Sequence, residues 1–418
     1  MREIYLDNHA TTRVDSRVIE AMLPWMNDEF ANAGSHTHGA GRRAAAMVEQ
    51  CTERILGLLG APNHELVYTS GATESINLAI FGTFSHPKQT RRGLLVGLAD
   101  HRAVLDCAKR LKTLECSGPK LSGQKLGDQS YSVDYIKVKD ATSQQAGAID
   151  LEAFQEALSD NVAMVSVILG NNEIGTLQNI EPLAQACRNV GALLHIDATQ
   201  AIGKIDFRAA DTQADFISFS AHKFYGPKGI GGLLVPKDKL RLRPQIIGGG
   251  QQNNLRSGTL NTPGIAGMCR ALEVATEDLP IEAQRLRILR NRLWDRLFES
   301  IEGLGLNGPP IEARAIQPAQ SPARSCENRL PGNLNVRFPK VEGQSLMLKV
   351  PQLALSSGSA CSSSDPRPSH VLQAIGLNDE EARSSLRFGI GRFNTEEEID
   401  EAADRIVAAY NELRLFVA

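Results

Sequence analysis

Between about residue 65 and residue 236, short apolar runs alternate with stretches of helical periodicity. Residues 65–69 read as a strand, and Gly71-Ala72-Thr73 then turns into a helix carrying Ile76, Ala79 and Ile80 on its apolar side. Residues 162–168 read as a buried strand. Residues 192–196 form another, preceded by a helical stretch from Ile180, and 216–219 and 232–235 follow. Strands alternating with helices predict an α/β fold whose mainly parallel sheet is covered on both faces. The C-terminal part has a different rhythm. Leu286, Leu289, Leu293 and Leu297 fall on one helical face, and 333–338 and 386–390 look like strands. Thr395 with Glu398 forms a capping-box pattern ahead of a final helix through Ile399, Ile406, Tyr410 and Leu413. This mixture predicts a smaller α+β domain.

Two polar stretches interrupt the pattern. Residues 117–147 are rich in Gly, Ser, Lys and Gln, with a candidate strand at 135–138, and residues 307–332 hold five prolines. Both read as surface loops. There is no internal repeat. The arginines between Arg285 and Arg296 read as the solvated face opposite the leucines rather than as a nucleic-acid surface.

With 418 residues the chain is long enough for a large domain and a smaller one. A formal charge of −3 provides no field for nucleic acid or membrane, though it leaves small anionic ligands open. The seven cysteines are dispersed and form no CxxC pair, so neither a metal site nor a disulfide framework is expected, and a reducing compartment is. The start of the chain has no signal-peptide pattern, and no apolar run is long enough to span a bilayer. The cytoplasm is the expected location.

Four segments carry chemistry. In Ser220-Ala221-His222-Lys223 a strand opens into a Gly/Pro-rich turn, the ligand-facing edge of an α/β sheet. A lysine there can form a Schiff base with an aldehyde cofactor, or be a plain loop lysine. In His195-Ile196-Asp197-Ala198-Thr199-Gln200 an acid ends an apolar strand, where it can keep a pyridine nitrogen protonated or simply cap a helix. It precedes Lys223 by 26 residues, room for a crossover and a return strand. Thr69-Ser70-Gly71-Ala72-Thr73 offers backbone N–H groups at a helix start, suited to a phosphate or to no ligand at all. His101 could stack on a flat ring or move protons, although a lone histidine is more often structural. Ser356-Ser357-Gly358-Ser359-Ala360-Cys361 is too small and polar to pack a core. Its cysteine is either a nucleophile or an inert loop thiol.

Jointly and in order, these blocks resemble the cysteine desulfurases of the NifS/IscS type, within the aminotransferase class V branch of pyridoxal-phosphate enzymes. The resemblance runs from Tyr5-Leu6-Asp7-Asn8-His9-Ala10-Thr11-Thr12 to Arg392-Phe393-Asn394-Thr395, outside the two polar stretches. It implies fold type I, with a seven-stranded sheet in a large cofactor domain (16–262) and a small domain (1–15 and 263–418). It implies pyridoxal 5′-phosphate held covalently by Lys223. Asp197 would face the ring nitrogen, Gln200 the ring hydroxyl, and His101 would stack on the ring. Thr73, Ser220 and His222 would surround the phosphate, with Ala72 among the cofactor contacts. Thr259, in Arg256-Ser257-Gly258-Thr259, would reach the phosphate of a neighbouring subunit, which implies a homodimer. Asn172 would touch the cofactor and, with Arg387, hold the carboxylate of L-cysteine. Lys223 would move the Cα proton with His101 as a candidate proton carrier. The Cys361 thiolate would take the sulfur as a persulfide, leave alanine, and pass the sulfur to an acceptor protein, an iron–sulfur scaffold among the candidates. No metal is implied.

The chain departs from the family pattern in three places. Asn32-Ala33 stands where Asn-Pro is common, and Asn8-His9 replaces the usual residues before Ala-Thr-Thr. The chain also ends soon after its last helix, where scaffold-docking members have a longer tail, which weakens the expectation of that docking mode. The rival readings are a selenocysteine lyase or another class V enzyme such as an aminotransferase, which would not need Cys361.

Overall fold

The structure is a computed structural model that describes residues 3–114, 130–237, 242–311, 328–357 and 367–416. Its strands are β1 (Ile4–Tyr5), β2 (His64–Thr69), β3 (Gly93–Gly97), β4 (Ser132–Ile136), β5 (Val162–Ile168), β6 (Leu193–Asp197), β7 (Phe216–Ser220), β8 (Gly231–Pro236), β9 (Gly305–Leu306), β10 (Asn333–Arg337), β11 (Leu353–Ala354) and β12 (Ser385–Gly389). A seven-stranded sheet runs in the order β2-β8-β7-β6-β5-β3-β4. All neighbours are parallel except β8, which lies antiparallel to both β2 and β7.

The central strands are almost uninterrupted in apolar character because both faces are covered. Alternate residues feed two cores. Leu66, Tyr68, Val165, Val167, Ile196 and Leu234 pack on one face with the helices Gly39–Leu58 and Ile180–Val190. Val67, Leu94, Val96, Met164 and Leu233 pack on the other with Ala72–Phe84 and Arg102–Thr113.

A separate core gathers Ile4 and Leu6, the sheet β12-β10-β9 and the final helix Glu396–Arg414. The long helix Thr262–Ser300 joins the two regions. Ile265 to Ala275 contribute to the first core and Leu286 to Leu297 to the last. The expected leucine face is therefore buried as a unit.

Two loop expectations are corrected at their described edges. β4 is the edge strand beside β3, with Val133 and Ile136 buried, and Ala146 and Ile149 are buried after it. At the other stretch Asn307, Arg329 and Leu330 are buried, and Arg329 donates to the carbonyl of Asn307 at 2.7 Å. The described polar residues at its edges face the interior, where the Arg329 guanidinium is held by the Asn307 and Pro309 carbonyls. Residues 115–129 and 312–327 lie outside the described residues.

The arginine face is corrected in part, since Arg292 is exposed as expected while others are not. Arg285 donates to the carbonyls of Asn394 and Arg392, Arg290 is buried, and Arg292 pairs with Asp400 on the final helix. These arginines tie elements together. No helix among the described residues is long and apolar enough to cross a membrane.

Candidate active site

The carboxyl ends of β5, β6 and β7 deliver Ile168, Asp197 and Ser220 to one cleft of about 410 Å³. Sheet-edge clefts of this kind are the usual ligand position in open α/β sheets. The cleft is also lined by Ala72, Thr73, His101, Asn172, Gln200, His222, Lys223 and Arg387. All the expected cofactor and substrate residues converge there except two. Thr259 is exposed and does not line it. Cys361 lies outside the described residues.

Lys223 ends a short 3-10 turn after β7, and its Nζ donates to the carbonyls of His9 at 2.7 Å and Ala10 at 2.6 Å. The turn is stitched to the N-terminal segment. Thr12 N donates to His222 O, Tyr225 N donates to Thr12 Oγ1, and Asp15 N donates to Tyr225 O. Tyr225 sits at φ 66°, a left-handed conformation that these bonds hold in place.

Asp197 is buried, and its Oδ1 accepts from Thr199 N at 3.0 Å. His195, two residues earlier, is held between Ser166 and Ser218, with its pKa pushed down to about 4 by burial, so its role is internal packing.

His101 caps the helix Arg102–Thr113, its Nδ1 accepting from Ala103 N at 3.1 Å. That bond places the proton of the neutral ring on Nε2. The preceding Asp100 is buried and accepts from Ile168 N and Gly97 N. Its acidity is suppressed first by burial and then by Asp197, against the opposing effect of those N–H groups.

The helix Ala72–Phe84 begins at the cleft with Gly71 as N-cap and no side chain capping it. Its first N–H groups and the helix dipole are thus available to an anion. Ser220, His222 and Lys228 line the same cleft. His222 Nδ1 lies 3.1 Å from Thr11 Oγ1, and burial, with Lys223 next to it, pushes its pKa down to about 4.

At the other end Arg387, on β12, is fully buried. Its Nη2 pairs with Asp7 at 2.7 Å and its Nη1 donates to Asn172 O at 3.1 Å, while its Nε has no hydrogen-bond partner among the described residues. A buried guanidinium that lines the cleft places a fixed positive charge there.

The residues that sequence reasoning leaves without roles are mainly from the N-terminal block. His9, Ala10 and Thr11 line the cleft, and Asp7 holds Arg387. The block Asp7-Asn8-His9-Ala10-Thr11-Thr12 is visible in the sequence, but the carbonyl contacts of a main chain leave no signature in residue type.

The aminotransferase class-V family profile matches residues 4–402. A cysteine desulfurase IscS from Anaeromyxobacter sp. (strain Fw109-5) is 40% identical over 412 residues, covering 98% of this chain and 93% of that protein. The chain belongs to the cysteine desulfurases of aminotransferase class V. Among solved structures, a NifS-like protein superposes with a TM-score of 0.82 at 32% identity, covering 98% of this chain and 99% of that one. SspA in complex with cysteine superposes with a TM-score of 0.73 at 32% identity, covering 94% of this chain and 99% of that one. Enzymes of this family depend on pyridoxal phosphate, and the residues around the cleft suit that group. A lysine amine, a buried carboxylate and an uncapped helix N-terminus answer to its aldehyde, ring nitrogen and phosphate respectively.

Proposed function

We propose that this desulfurase takes sulfur from L-cysteine onto Cys361, releases L-alanine, and passes the persulfide sulfur to an acceptor protein in the cytoplasm. The observation that carries the substrate reading is the buried Arg387 guanidinium, which lines the same cleft as Lys223. Lys223, Asp197, Gln200, His101, Ala72, Thr73, Ser220, His222 and Asn172 would hold the cofactor, which supplies an aldehyde for covalent attachment and an electron sink for the Cα bond.

The chain's own contributions follow from its geometry. Arg387 and Asn172 orient the substrate carboxylate, with Asp7 and the Asn172 carbonyl keeping the guanidinium in place. Lys223 moves the Cα proton between substrate and cleft. His101 holds a proton on Nε2 and can deliver it. The Cys361 thiolate forms an S–S bond to the substrate sulfur as the Cβ–S bond breaks, leaving the persulfide on the enzyme. Chain geometry permits this. Ser356 O accepts from Arg387 N at 2.8 Å, so the described chain stops beside the substrate residues. Cys361 lies four residues beyond Ser357, a reach of up to about 14 Å.

A homodimer completes this reading. Ile19, Leu23 and Met26 fall at i, i+4 and i+7 of the helix Ser16–Met26 and are 48%, 54% and 63% exposed, an apolar stripe suited to a second copy. Thr259, exposed and outside its own cleft, would then serve the partner's phosphate. The division into 16–262 against 1–15 with 263–418 is proposed on the same terms.

The test compares alanine and sulfide production from L-cysteine plus dithiothreitol in wild type and Cys361→Ala, with visible spectra of both. The expected result is a cofactor band in both proteins and turnover in wild type alone. Full activity in the variant would remove Cys361 from its role and leave another class V reaction in its place.

A further inference from the structure

His9 is one of the residues that depart from the family pattern, and it sits in a buried polar cluster behind the cleft. Gln200 Nε2 donates to the His9 carbonyl at 2.8 Å. A carbonyl can only accept, so this bond assigns the amide orientation, with Nε2 toward His9 O and Oε1 turned the other way. Oε1 accepts from Lys204 Nζ and lies 3.0 Å from His9 Nδ1. Nδ1, facing an acceptor, therefore carries the ring proton. The buried Nε2 makes no side-chain hydrogen bond among the described residues, and the Gly332 main chain lies against the same ring. His9 also borders a second cavity of about 20 Å³, room for one water molecule, shared with Lys204 and Glu282.

Three of Gln200's four hydrogen-bonding positions are taken in this way: both on Oε1 and one N–H. The remaining N–H has no protein partner among the described residues, and Gln200 lines the main cleft. We propose that Lys204 and His9 are positioning residues that lock the Gln200 amide with its remaining N–H directed at the ring oxygen of the cofactor. This rests on the reading of the cleft as the pyridoxal-phosphate site.

Lys204 suits the task. It is buried, its amine is held well below the ordinary lysine value by burial and then by Lys223 and Arg387, and Glu282 opposes that shift. The pKa of His9 is lowered by burial, followed by Lys204 and Arg387, with Gln200 and the Gly332 main chain opposing. Neither residue reaches the cofactor through its own side chain in this scheme, so both act through Gln200. Without Lys204, Oε1 loses one of its two donors, the amide is held by its two His9 contacts alone, and its remaining N–H is directed less firmly at the ring oxygen. An oxygen deprived of that N–H holds the proton of the lysine–cofactor linkage more tightly. That proton is then lost at higher pH. The charged or titratable groups lining the same cleft are His9, Glu74, His101, Asp197, His222, Lys223, Lys228 and Arg387. All remain in the variant, with His9 and His222 relieved of the Lys204 charge.

The experiment is a double-mutant cycle on the cofactor-loaded protein: wild type, Lys204→Met, Gln200→Ala and the double variant. Each is read by the pH midpoint of the bound cofactor's visible band and by the cofactor dissociation constant. Lys204→Met should raise the midpoint by on the order of one pH unit and weaken cofactor binding about tenfold. Gln200→Ala should shift both in the same direction, and adding Lys204→Met to it should change nothing further. Independent, additive shifts, or a Lys204→Met spectrum identical to wild type, would overturn the proposal. If Lys204→Met fails to fold, His9→Leu enters the same cycle with the same two outcomes. A wild-type protein that develops no visible band with pyridoxal phosphate would sink the underlying site reading. A normal wild type with unaltered variants would sink only the role of Lys204 and His9.

Discussion

Glu173 follows directly after Asn172, and its carboxylate is buried against the Ser369 hydroxyl. Burial pushes its pKa up to about 7 from 4.5, with Ser369, Arg387, His101 and Arg102 opposing. The sign follows from linkage. A carboxyl whose folded-state pKa exceeds its unfolded value favours folding in its neutral form. That contribution is complete below the unfolded pKa and is lost as pH rises through about 7. Glu173→Gln keeps an acceptor for Ser369 and cannot ionise. Its stability relative to wild type should therefore increase between pH 4.5 and 7, by about 1.4 kcal/mol for each pH unit crossed in that window. Thermal melts of both proteins at pH 5 and pH 8 measure this, and a melting difference that is the same at both pH values refutes it. At this scale the sequence is informative where chemistry sits at strand ends. Lys223 and Asp197 are legible from the runs preceding them. The protonation of Glu173 and the stitching of Lys223 to the His9 and Ala10 carbonyls are not, because both depend on neighbours distant in the chain.

Elements are legible where periodicity is strong. β2, β5, β7, β8, β10 and β12 lie where alternation and apolar runs put them, to within a residue or two. β3 escapes a reading of the sequence, because Gly93–Gly97 is short and opens and closes on glycine. β4 is legible only as a candidate strand at 135–138, displaced by two to three residues, because an edge strand in a polar stretch exposes three of its five residues. The reversed direction of β8 has no local signal at all. The element that matters most to the site is the helix Ala72–Phe84, whose first turn is open because Gly71 occupies the N-cap. Gly71 has φ 153° and ψ −179°, a region in which a side chain is strained, and an added Cβ would come within 3.4 Å of Ser220 Oγ. Gly71→Ala should therefore shift the helix start through backbone strain and weaken pyridoxal-phosphate binding about tenfold. Equilibrium titration of the apoprotein followed by fluorescence checks this, and unaltered affinity would show that the helix start does not receive the phosphate.

At the scale of the whole molecule, the residues expected to bind cofactor and substrate line a cleft between the large sheet and β12, yet Thr259 stands outside it. Two facts independent of that residue bear on whether a second copy completes the site. The helix Ser16–Met26 buries Val18 while leaving Ile19, Leu23 and Met26 exposed at helical spacing, and Phe30 just beyond it is 77% exposed. A helix with apolar residues on two sides packs one of them on its own core and needs cover for the other. Leu23→Glu places a charge in the middle of that stripe without touching the core, so the monomer should fold normally. If the stripe is the dimer interface, the variant should sediment as a monomer at concentrations where wild type is a dimer. It should also bind pyridoxal phosphate more weakly, since each cleft then lacks the partner's Thr259. Thr259→Ala in the intact dimer should reproduce the loss of affinity while leaving sedimentation unchanged. A Leu23→Glu protein that remains dimeric would move the interface elsewhere on the surface. A monomer with full cofactor affinity would show that each cleft is complete within its own chain.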